Sequence, residues 1–144
     1  MRNWLVAGML ALSGASGAEV ERPASLFERL GGMPAVQAVV DDLWPRIVSG
    51  TRINKWFAEA AAKPERAAAY RSKLADLLCQ ATGGPCHYSG DMVAVHAGRA
   101  ITAEAFAAMT GDIEATLDHL KVPAREKADA LALLGTLKPA VVTK

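Results

Sequence analysis

The chain has 144 residues, 51% hydrophobic, 22% charged and 6% aromatic, which suits one compact domain. Its 16 basic and 15 acidic residues nearly cancel, and no basic cluster is interleaved with aromatics. That balance argues against nucleic acid, which needs concentrated positive charge to neutralise its phosphates.

The first residues read as an export signal. Met1-Arg2-Asn3 supplies the positive start, Trp4 to Leu12 the apolar run, and Ser13 to Ala18 the small-residue exit, with Ser16 and Ala18 before the cut. The run is too short to give a stable membrane span. Cleavage after Ala18 removes Arg2 and leaves a formally neutral chain, expected in the bacterial periplasm. Residues 19–24 then form a polar lead containing Pro23, and one domain is expected over residues 25–144.

Ser25 with Glu28 three residues on is a capping box for a brief helix, which Gly31-Gly32 ends. Pro34 opens the second helix at a first-turn position, and Val36, Val39, Val40, Leu43 and Ile47 give it one buried face. Pro45 inside it should bend it or mark an irregularity, with Trp44 just before. Ser49-Gly50-Thr51 ends that helix, and the connection after it carries Trp56 and Phe57. Such aromatics either plug a core or lie against a flat cofactor. From about Pro64 to Thr82 the next helix keeps Tyr70, Leu74, Leu77 and Leu78 on a shared side, with Arg71 and Lys73 toward the edge.

The stretch Gly83 to Ile101, GGPCHYSGDMVAVHAGRAI, breaks the helical pattern, passes a polar turn and gives one short helical run ending near His96. Met92, Val93, Val95 and Ile101 make an apolar wall around that imidazole, and Gly98 and Arg99 bound it. On such a wall one ring nitrogen is free for a metal while the other donates to a nearby carbonyl. A packed, hydrogen-bonded core histidine fits the same segment. Thr102 then caps a helix striped with Phe106, Met109, Ile113, Leu117 and Leu120. Lys121-Val122-Pro123 breaks it, and Ala128, Leu131, Leu134 and Leu137 mark a final helix ended near Pro139. No strand pattern competes, so the fold class is all-α.

Serines are few and none sits in an elbow motif, which leaves nucleophilic catalysis unsupported. Cys79, Cys86 and His87 match no common zinc spacing. In an oxidising compartment the two cysteines either pair or stay reduced, with Cys79 packed as a small hydrophobe. A histidine facing a planar cofactor between helices meets the requirements of haem.

The order of features is more specific than any one of them. Gly31-Gly32, Trp56-Phe57, Gly83-Gly84-Pro85 with Tyr88-Ser89-Gly90, Met92 to His96 and Gly98 to Thr102 together resemble the truncated haemoglobins of group I, over about Ser25 to Val142. The resemblance implies a shortened globin, a two-over-two helical sandwich around haem b. It implies that His96 is the proximal iron ligand, that Phe57 stacks on the porphyrin, and that Met92 and Ile101 belong to the haem wall. The distal side departs from the family. Trp44 stands where a tyrosine is common, and Tyr70 and Leu74 stand where glutamines are. Tyr70 then either donates to the gas ligand or turns outward over the haem edge, while Trp44 closes the pocket or donates weakly. Lys73 suits a propionate contact or a sixth iron ligand, and Arg99 the haem edge. His87 and His119 face solvent and match no ligand position.

The implied function is reversible binding of oxygen, nitric oxide or carbon monoxide. Nitric oxide dioxygenase or peroxidase activity is a side reaction that would need an unidentified reductase. The alternatives are a six-coordinate haem sensor or electron carrier, with Lys73 or Tyr70 on the iron, and a haem-free helical interaction domain.

Overall fold

Ser25 Oγ accepts from the Glu28 backbone N–H and Glu28 Oε2 accepts from the Ser25 N–H, both at 3.1 Å, so the capping box starts α1 (Leu26–Leu30). Gly31, at φ 114°, turns the chain out of that helix, and the Gly32 N–H reaches back to the Phe27 carbonyl at 2.9 Å. The structure, a computed structural model, describes residues 22–144. The expected export signal, residues 1–18, and residues 19–21 of the polar lead lie outside the described residues.

α2 (Met33–Ser49) carries Pro34 in its first turn and buries Val36, Val40, Leu43, Trp44 and Ile47. It runs through Pro45 unbroken. The missing N–H frees only the Asp41 carbonyl, and Asp41 and Pro45 both lie on the exposed face, where water can satisfy it. A 3-10 turn (Asn54–Trp56) and the short α3 (Ala58–Ala61) lead to α4 (Pro64–Ala81). After an irregular linker come α5 (Met92–His96), α6 (Ala103–His119) and α7 (Ala124–Thr136). α7 ends at Thr136, just ahead of Pro139, and Pro139 itself sits in the first turn of a further short helix, α8 (Lys138–Val141), where its absent donor costs nothing.

The described residues contain helices and no strand. α2 packs on α4 and on α6, α6 packs on α7, and α1 bridges α2 and α7, which makes two helix pairs stacked on each other. None of these helices is long and apolar enough to cross a membrane. Polar ties fix the arrangement. Arg29 of α1 reaches Glu126 at 3.2 Å and Asp129 at 2.8 Å on α7. Asp42 of α2 takes Arg46 at 2.8 Å and His119 of α6 at 2.5 Å. The hydrogen bond from Arg46 is the main reason the Asp42 carboxyl lies below its ordinary range.

Cys79 and Cys86 are joined in a disulfide, with Cα atoms 5.7 Å apart. The bridge ties the last turn of α4 to the linker that leads to α5, and it removes both sulfurs as metal ligands. Gly84 lies inside the loop it closes; a Cβ there would come within 2.7 Å of Cys79 Sγ and of the Phe27 ring. Beside the bridge, Gln80 Oε1 accepts from the Tyr88 N–H at 2.6 Å, and the Phe27 N–H donates to the Thr82 carbonyl at 2.8 Å.

Candidate functional site

α5 is a single helical turn, and Asp91 explains why so short an element holds. Its Oδ1 accepts from Val93 N–H at 2.9 Å and Ala94 N–H at 3.1 Å, satisfying donors the helix itself cannot pair. Four residues after Met92, His96 Nδ1 lies 2.7 Å from the Met92 carbonyl oxygen. A carbonyl only accepts, so Nδ1 carries the proton. Nε2 then keeps its lone pair and meets no hydrogen-bond partner among the described residues. The linker beyond is pinned as well: Trp56 Nε1 donates to the Arg99 carbonyl at 2.9 Å, and Arg99 Nε to the Val95 carbonyl at 2.6 Å.

His96 lines a cavity of about 540 Å³, a size ordinary for small-molecule sites, between α4 on one side and α5 and α6 on the other. Phe57, Tyr70, Lys73, Leu74, Met92, Arg99 and Ile101 line it too. Trp44 does not. It lies behind the wall, buried, with its ring centroid 5.4 Å from Tyr70 in a tilted stack and 6.4 Å from Phe57 edge-on. Phe57 and Tyr70 also meet edge-on at 5.4 Å, so the three rings form one cluster of which two face the cavity.

The walls are apolar and the cations stand at the edge. Leu43, Leu77, Leu78, Phe106, Met109 and Ile113 complete the walls. Lys73, Arg99 and Arg66 are exposed while still lining the cavity, and Arg66 also reaches Glu59 at 3.4 Å. Tyr70 is the titratable group most altered by the site. Burial pushes its phenol up to about 12, with Tyr88 raising it further and Arg99 opposing. It keeps its proton at neutral pH, and its hydroxyl is in no hydrogen bond to a described residue. His87 and His119 are exposed, the latter engaged with Asp42, and neither lines the cavity.

These features fit haem: a slot between helices, an imidazole with a free Nε2, aromatic walls, and cations placed for two carboxylates. Sequence reading missed several lining residues. Arg66 stands one helical turn before Tyr70, a spacing that could have found it. Tyr88 comes from an irregular linker and Val141 from the chain's last turn, where no periodic signal marks them, while Leu137 belongs to the apolar stripe of the final helix without any sign that it faces a cavity.

The profile of the bacterial-like globin family matches residues 25–143. A group 1 truncated hemoglobin, GlbN, of Mycolicibacterium paratuberculosis is 28% identical over 122 residues, covering 84% of this chain and 86% of that protein. GlbN of Synechocystis sp. is 31% identical over 120 residues, covering 78% of this chain and 90% of that protein. Among solved structures, the Fe(III) form of the truncated hemoglobin of Tetrahymena pyriformis superposes with a TM-score of 0.75. It is 24% identical and covers 84% of this chain and all of the other, a likeness of fold.

Proposed function

This chain belongs to the bacterial-like globin family, among the group 1 truncated haemoglobins, and from that premise we propose that it holds haem b through His96 Nε2 and reversibly binds oxygen or another diatomic gas at the haem iron. Haem held there would supply an iron able to take up a small diatomic ligand reversibly. The observation that carries the reading is the 2.7 Å contact of His96 Nδ1 with the Met92 carbonyl, which leaves Nε2 without a protein partner at a 540 Å³ apolar slot.

The chain's residues divide the remaining work. Phe57, Met92, Leu74 and Ile101 exclude water from the slot, while Lys73 and Arg99, with Arg66, hold carboxylates at its edge. Tyr70 is a neutral phenol with an unspent hydroxyl, which suits it to donate to the gas ligand rather than to bind iron as a phenolate. Lys73 is exposed at the rim, which suits a carboxylate contact better than a buried sixth ligand. Both points favour an open distal position over the six-coordinate alternative. That position also admits nitric oxide or peroxide chemistry given a separate electron donor. The leader-like residues 1–18 support export to an oxidising compartment, where a disulfide such as Cys79–Cys86 persists.

Titrating haem into the purified chain tests the ligand. A Soret band should saturate at one haem per chain; His96→Gly should lose most of that uptake, and added imidazole should restore the native spectrum. A His96→Gly protein with unchanged uptake and spectrum would overturn the assignment.

A further inference from the structure

We propose that Trp44 is a positioning residue: its indole, stacked behind the Tyr70 ring, holds that phenol in the cavity with its hydroxyl free for the gas ligand. The proposal deepens the haem-binding reading and rests on it for the ligand alone; the packing stands by itself.

Trp44 lies on α2, whose Val39 and Leu43 do reach the cavity while the indole between them and the connector does not. What Trp44 touches instead is Tyr70, at 5.4 Å and 37°, and Phe57, at 6.4 Å and 88°. Phe57 meets Tyr70 from a second direction, at 5.4 Å and 89°. Two neighbouring rings packed against the Tyr70 ring, one tilted and one edge-on, restrict it about its side-chain torsions, because turning away from them would open a gap in a packed wall.

Tyr70 lines the cavity together with Tyr88 and Arg99, whereas Trp44 does not, so the phenol stands on the cavity side of the cluster. No described residue accepts from its hydroxyl. A phenol fixed by ring contacts alone keeps its one donor unspent. Had the hydroxyl been fixed by a protein acceptor, the ligand would have to compete for it. A bulky indole at position 44 and a tyrosine at position 70 therefore act as one unit, with the indole supplying orientation and the phenol the hydrogen bond.

A cycle of Trp44→Ala, Tyr70→Phe and the double variant separates this from a direct role. In haem-loaded protein, oxygen dissociation should rise about tenfold in Tyr70→Phe, the worth of one hydrogen bond to a charged partner. Trp44→Ala should give a similar rise, and the bound carbon monoxide stretch should move the same way in both. In the Tyr70→Phe background, Trp44→Ala should add less than about twofold. Trp44→Phe, which keeps a ring, should recover much of the native rate. An unchanged effect of Trp44→Ala in the Tyr70→Phe background would overturn the proposal.

A haem-free readout keeps the two readings distinguishable. The chain has two tyrosines, so Tyr70 ring signals in carbon-13 tyrosine-labelled protein are assigned by their loss in Tyr70→Phe. They should show a restricted ring in the native chain and fast averaging in Trp44→Ala; restriction that survives in a folded Trp44→Ala or Trp44→Leu would also overturn it. Failure to take up haem would sink the haem-binding reading and leave this ring measurement to decide the packing.

Discussion

The Tyr70 hydroxyl meets two demands, a proton that must stay and a donor that must remain unused. Burial supplies the first by disfavouring the phenolate, which pushes the group up to about 12. An unfolded tyrosine titrates near 10, so the folded chain binds this proton more tightly than the unfolded one. The stability linked to it is whole below about pH 10 and is lost as pH rises toward 12. Urea unfolding between about pH 8 and 11 should therefore show an alkaline decline that is shallower in Tyr70→Phe; equal slopes would mean that the phenol is not buried. A carbonyl for one His96 ring nitrogen was legible from the sequence because it lies four residues back on the same turn, whereas the choice between a ligand and a packed core histidine needed the order of motifs along the chain. The place of Trp44 was not. Its partners lie on two other elements, and no helical periodicity distinguishes a ring that lines a cavity from one that backs the ring lining it.

At the scale of elements, the linker between α4 and α5 is the part least explained by apolar packing. It presents Tyr88 to the cavity and leads into the turn that carries His96. Three local devices hold it: the Cys79–Cys86 bridge, the Gln80 side chain on the Tyr88 N–H, and Gly84 packed where a Cβ has no room. A bridge between residues seven apart closes a short loop, and chain entropy assigns such a closure about 2.5 kcal/mol. Reducing the protein should lower its unfolding free energy by about 2 kcal/mol in urea melts run with and without dithiothreitol. No difference would mean that the linker is held without the bridge. Helix placement was readable from the capping residues Ser25 and Thr102, because each signal is a hydrogen bond within four residues. The pairing of the cysteines was left open, since spacing alone does not say whether two thiols come within reach of each other.

Across the whole molecule, the cavity divides the core unevenly. α2 and α6 each bury several side chains, and the two apolar clusters, around Leu43 and Ile47 and around Val36 and Val40, both lean on α2. α5, α7 and α8 contain no fully buried residue, although Val95, Leu134, Leu137 and Val141 line the cavity. Such elements, with few buried apolar contacts, open first in a native protein. α7 is tied to α1 and α6 by ion pairs, Arg29 with Glu126 and Asp129, and Lys127 with Glu114 and Asp118. A ligand that fills the slot would cover Val95, Leu134, Leu137 and Val141 along with the rest of the wall, and would add stability that grows with the logarithm of its concentration, about 2.7 kcal/mol at a hundredfold excess over its dissociation constant. Hydrogen exchange of the chain before and after haem loading should then show the largest gain in protection in α5, α7 and α8. α2 and α6, already protected by their own packing, should gain least. Equal gains across all helices would mean that the cavity's far wall is as firmly packed without the cofactor as α2 is, and the division of the core would have to be redrawn.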